Sequence, residues 1–209
     1  MLRLTRETVG HFCSTIDLEQ QRPVVDLSDV TFVRPFAMIY LGMFLRYFNA
    51  RGKSFVWEAP DRYDVRNYLA RMRFYERFNF ATEVVEREEL HRLETSTSLN
   101  DIVDIENTED VGEHVAGLVV QALRRTGHRA RGGGELLNVV VSELVDNFAL
   151  HSGQTLAAFM MQWFPHKQYL SLALGDCGLG IKAMLLRNPD YAHLSQARDA
   201  DAIILALRP

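Results

Sequence analysis

The chain is short of cysteine. Only two cysteines, Cys13 and Cys177, occur among 209 residues. They lie far apart in no ligand spacing, which excludes a disulfide framework and a zinc site of the usual kind. No apolar run approaches the length of a membrane helix. The N-terminal MLRLTRETVGHFCSTIDLEQ carries charges throughout, so it does not read as a signal peptide. The net charge is only −4, which gives no long-range pull toward nucleic acid or an anionic membrane. A GxxxxGK[ST] stretch is missing, and with it the phosphate-loop NTPases. These absences describe a chain of ordinary globular composition, 47% hydrophobic and 24% charged, suited to a reducing cytoplasm.

Pattern along the chain falls into two stretches. In Pro23 to Val33, Val24, Val25 and Leu27 form a short strand candidate, and Ser28-Asp29 supply a turn. Pro35 suits a first helical turn, and Phe36 to Ala50 carries apolar residues at helical spacing until Gly52. Ser54 to Trp57 reads as a second strand, Arg62 to Met72 as a helix, and the charged EREELHRLE, 86–94, as another. Two strands joined through a helix are normally parallel, so residues 1–95 are expected to form a small α/β unit. The polar TSTSLN, 95–100, marks its end.

Beyond it come a strand candidate, Ile102 to Ile105, and a helix from about Asp110 to Arg124. The basic, glycine-rich RRTGHRARGGG that follows reads first as a solvated helix end and loop. Residues 135–152, ELLNVVVSELVDNFALHS, contain neither glycine nor proline and predict a long helix. At about 100° per residue, Glu143, Asn147 and His151 form one polar stripe, flanking an apolar face of Leu137, Val141, Leu144 and Phe148. A carboxylate and an amide one turn apart suit nucleotide chemistry. Glu143 can orient or deprotonate an attacking group, and the Asn147 amide oxygen is a hard ligand acceptable to Mg²⁺. Solvated polar residues at a helix edge are the ordinary alternative. LAAFMMQWF, 156–164, and YLSLAL, 169–174, separated by PHKQ, predict an antiparallel hairpin leading into GDCGLGI. There Asp176 can accept a hydrogen bond from an adenine amine, while Gly178 and Gly180 permit a tight turn or close backbone approach.

The order of these parts, a helix with ELVDNFALHS, a hairpin, then GDCGLGI, resembles the GHKL superfamily of gyrase, chaperone, histidine-kinase and mismatch-repair ATPases. It is most similar to the anti-sigma-factor and histidine-kinase branches. The resemblance covers residues 101–209 and implies a two-layer α/β sandwich binding ATP with Mg²⁺. Glu143 would be the general base and Asn147 the Mg²⁺ ligand. Asp176 would read adenine, with His151, Gly178, Gly180 and Ile181 beside the nucleotide. VVDLSDVTFVRPFAMIYLGMFLRYFNARGKSF in turn resembles the STAS domain of anti-sigma-factor antagonists. Arg34, Pro35, Phe36 and Ala37 stand where those domains carry a phosphorylatable hydroxyl, which implies a docking module without the phospho-switch.

The expected fold class is therefore α/β (α+β), a STAS-like unit followed by a histidine-kinase-like ATPase domain truncated at its C-terminal end. In that family a second glycine-rich motif follows the helix DAIILALRP, and this chain stops before it. The implication is weak or absent ATP binding and a mobile or displaced lid segment between about Met184 and Ala200. The expected function is that of a cytoplasmic bacterial regulatory protein with Mg-ATP as its switch. Its partner would be a sigma-factor or STAS-pathway protein, with a homodimer compatible and no nucleic acid or membrane involved. Hydrolysis, transfer of phosphate to a partner serine, and binding alone all stay open. The competing reading is a noncatalytic interaction scaffold on the same fold. A DNA-remodelling ATPase would need a basic surface that only RRTGHRAR offers.

Overall fold

The computed structural model describes residues 1–78, 99–108, 110–125 and 133–206. The charged run at 86–94, most of the TSTSLN boundary and most of the basic glycine-rich stretch lie outside the described residues.

Short strands pair in parallel across helices in the N-terminal part. Strand β1, Leu2–Leu4, leads through helix α1, Val9–Ser14, and strand β2, Val24–Asp26, to β3, Val30–Val33. β1 pairs with β3. The β2–β3 turn follows the Asp-rich sequence, because the Asp26 carboxylate accepts from the Ser28 amide at 2.8 Å. Helix α2, Pro35–Asn49, starts on its proline, whose missing N–H costs nothing in a first turn. Strand β4, Val56–Glu58, then returns parallel to β2, as expected for a strand-helix-strand unit. Two short helices, α3, Tyr63–Arg71, and α4, Phe74–Arg77, close this part.

The second part is one antiparallel sheet, β5, Leu99–Glu106, β6, Leu156–Phe164, and β7, Tyr169–Asp176, in the order β5-β6-β7. Helices α5, Val111–Arg125, and α6, Gly133–His151, pack together beside it. Side chains of β6 alternate between two cores, as strand geometry requires. Ala157, Phe159 and Met161 join Val141, Val145 and Phe148 of α6, whereas Ala158 and Met160 join the core that contains α2. Both faces of the strand are buried, which accounts for the unbroken apolar run LAAFMM.

Layers therefore stack as α5 and α6, then the sheet, then α2 with the N-terminal strands, a mixed α/β arrangement. Polar contacts tie the N-terminal part to the sheet. Asp104 on β5 pairs with Arg46 of α2 at 2.8 Å and with Arg77 at 3.5 Å. The Tyr68 hydroxyl bonds Gln162 Oε1 at 2.9 Å, and the Ile102 amide donates to Met72 O. Gly175 of β7 lies so close to α2 that a Cβ there would stand 2.6 Å from Ile39 Cγ2.

The stretch expected as a lid, about 184–200, runs from the end of helix α7, Gly180–Leu185, through a 3-10 segment, Pro189–Gln196, to the start of helix α8, Asp199–Ala206. Lys182 ties it together, donating to Ala197 O at 2.5 Å and facing Asp199 at 3.8 Å. Cys13 and Cys177 are free thiols. Among the described residues no helix is long and apolar enough to cross a membrane.

Candidate functional site

Helix α6 sets the first half of the site. Its buried arc is Val141, Val145 and Phe148, with Leu137 partly covered. Glu143, Asn147 and His151 are all exposed, and at about 100° per residue the stripe runs from Glu143, nearly opposite the buried arc, to His151 beside it. Leu144 departs from its expected place on the buried face and is 50% exposed. At about 100° per residue it falls between the stripe and the core, on the edge that turns to solvent. Leu136, Val139, Val140 and Leu150 are exposed on the same outward side, which thus mixes the polar stripe with apolar surface.

The second half is the loop after β7, and local chemistry fixes its shape. Asp176 Oδ1 accepts from the Gly178 amide at 2.6 Å, closing a tight turn around Cys177. The two glycines serve different needs. At Gly178 a Cβ would lie 2.6 Å from both Ser152 O and Ser152 Cβ, so only glycine lets the loop touch the end of α6. Gly180 has open space around it but adopts φ +77°, a backbone conformation that L side chains rarely take.

Loop and helix are stapled through Ser152. Its carbonyl accepts from the Leu179 amide at 3.0 Å, and its Oγ accepts from the Gln154 amide at 3.0 Å. Ser152 is buried at 6% exposure, and the Asn107 side chain holds the same helix end by donating to Ala149 O at 2.7 Å. Neither Ser152 nor Asn107 stood out in the sequence. The only trace of the anchor is the Ser-Gly pair that ends the helical pattern. Asn147 precedes Ser152 by five residues, about 7.5 Å along the axis, and Glu143 by nine, about 13.5 Å. The structure thus places the carboxylate loop at the C-terminal end of the stripe. His151 is the stripe member next to the loop, and Ile181 is exposed at the start of α7.

The loop has a second neighbour. Gly175 packs on Ile39 and Met43, and the Cys177 thiol donates to Met43 O at 3.3 Å, with burial pushing that thiol's pKa up. A cleft of about 280 Å³ lies between this side of the loop and the aromatic face of α2, lined by Phe36, Tyr40, Phe44 and Tyr47.

These residues fit a nucleotide with its metal in their donor chemistry. Among the described residues no cluster of three or more His, Cys, Asp or Glu is placed to hold an ion by itself. Mg²⁺ between phosphate oxygens asks for only one or two protein ligands, and Asn147 offers an exposed amide oxygen. Comparison with family models, curated proteins and solved structures gave no match.

Proposed function

We propose that the chain is a regulatory protein in which a STAS-like N-terminal module is joined to a GHKL-type domain that binds Mg-ATP. The observation that carries this reading is the staple between Ser152 and Gly178-Leu179, which holds the ExxxN helix and the DxGxG loop at one corner. Asp176 uses one carboxylate oxygen on Gly178 and keeps the other for an exocyclic amine. Asn147 would hold Mg²⁺, which when bound neutralises phosphate charge. Glu143 would act on the attacking hydroxyl or water, and His151 would face the phosphates. The parallel β2-α2-β4 unit supports the STAS-like half. Adenine recognition at Asp176 would report to α2 directly, because the same loop packs on Ile39 and Met43. Such a coupling suits a protein whose partner affinity changes with bound nucleotide.

A second reading is favoured by the exposed Leu136, Val139, Val140, Leu144 and Leu150 on α6. An apolar helix face of this kind also suits a protein partner, which is the scaffold alternative. Paired variants separate the two. Titrating the chain to high concentrations of ATP, GTP and AMP by NMR should give weak but adenine-dependent shifts along α6 and the Asp176 loop. Asp176→Asn should weaken these about 10-fold or more, the loss of one charge-assisted hydrogen bond. Glu143→Ala should leave affinity within about twofold and lower any hydrolysis or transfer instead. Equal affinity in Asp176→Asn and parent, or no adenine preference, would leave the scaffold.

A further inference from the structure

At the opposite end of β7 from Asp176, about 23 Å away by strand rise, lies a cleft of about 370 Å³ whose walls carry Arg3, Arg6 and Arg34. Aromatic rings back two of its arginines. The Arg3 guanidinium carbon sits 4.8 Å over the Phe32 ring, and that of Arg34 is 5.1 Å from Phe32 and 5.6 Å from Phe164. Stacking fixes the guanidinium planes while leaving their N–H edges free to donate. Arg34 spends one of these on the neutral Tyr169 hydroxyl, 2.5 Å away. Among the described residues neither Arg3 nor Arg34 has a carboxylate partner.

Charge at this place is uncompensated. Glu7 is the acid on the cleft, and it is engaged by Thr5 Oγ1 at 2.7 Å and by Arg6 at 3.4 Å. Arg34 is moreover the N-cap residue of the fifteen-residue α2, whose first turn holds no acid. A cation there opposes the helix dipole, whose positive end would attract an anion. Three guanidinium groups against one carboxylate leave about two positive charges, the complement of a phosphate monoester at neutral pH. The Ser171 and Tyr169 hydroxyls also line the cleft, so donors approach from several sides, as a tetrahedral oxyanion requires and a planar carboxylate does not.

We propose that this cleft binds a phosphate dianion, free or as the monoester of a small organic group, at a site separate from the Asp176 corner. The test is NMR titration of the whole chain with inorganic phosphate, O-phosphoserine and acetate. Saturable shifts at Tyr169, Ser171 and the start of α2 are expected with the phosphates, and acetate should bind at least about 10-fold more weakly. Phosphoserine tighter than phosphate identifies an organic carrier, and equal affinity identifies free phosphate. Arg34→Gln and the more exposed Arg3→Gln should each weaken binding about 10-fold, while Asp176→Asn should leave it unchanged. If Arg34→Gln fails to fold, Arg3→Gln decides. Absence of saturation, acetate binding as well as phosphate, or parental affinity in Arg3→Gln overturns the proposal. Failure here leaves the Asp176 reading untouched, because Arg3, Arg6, Arg34, Tyr169 and Ser171 take no part in the Asp176 corner, although Phe36 borders both clefts.

Discussion

Cys13 shows what burial does to a single group. It packs in the N-terminal core, and burial pushes its thiol from 9.0 up to about 12. Below about pH 9 the thiol is protonated folded or unfolded, and its contribution to stability is complete. As pH rises from there toward 12 the unfolded chain loses its proton while the folded one keeps it, so stability falls across that window. Burial raises Tyr68 and Tyr75 in the same sense. The midpoint of urea unfolding is therefore expected to drop between pH 9 and pH 11. At pH 8.5 iodoacetamide should modify the half-buried Cys177 well before Cys13. Alkylation of native Cys13 at the rate of a free thiol would contradict this placement.

Single residues were legible in the sequence where chemistry and spacing agreed. Glu143, Asn147 and His151 share a stripe because residues at two successive four-residue steps must do so on any α-helix. Asp176 sits at a strand end because the apolar run before it stops there. Ser152 was not legible, since a buried serine at a helix end looks like any other serine until its partners, the Leu179 and Gln154 amides, are known.

At the scale of elements, α2, α6 and the β6–β7 hairpin announced themselves by period and by their terminal prolines and glycines. β1 and α1 did not. A three-residue strand and a six-residue helix are too short for any period to rise above the charged residues between them. β5 is longer than its apolar centre, extending from Leu99 to Glu106 through polar residues that continue the pairing with β6. The contact of α2 with β7 was equally hidden, because glycine at 175 carries no apolar signal. Gly175→Val tests that contact. Its side chain would need the space of Ile39 Cγ2 and Met43 Cγ, at 2.6 and 3.0 Å from a Cβ. Overpacking of this kind costs about 1–3 kcal/mol. Tm should fall by several degrees, whereas Gly175→Val melting with the parent would mean that α2 is not seated there.

Across the whole molecule, the sequence divided more readily than the core does. A polar stretch near residue 95 suggests two units, yet Ile102, Ala158, Met160 and Ala173 bury against the N-terminal strands and helices. Ion pairs such as Arg46 with Asp104 join positions 58 apart and leave no local trace in the sequence. The alternation of β6 between its two cores makes that strand a party wall. It is hydrogen-bonded along both edges and roofed on both sides, so its amide protons meet solvent only when β5 or β7 comes away from it. Neither layer can peel from the sheet without stripping apolar surface that the other still leans on. Among the described residues the two layers are thereby coupled through β6, so a ligand gripping either layer should slow amide exchange in that strand.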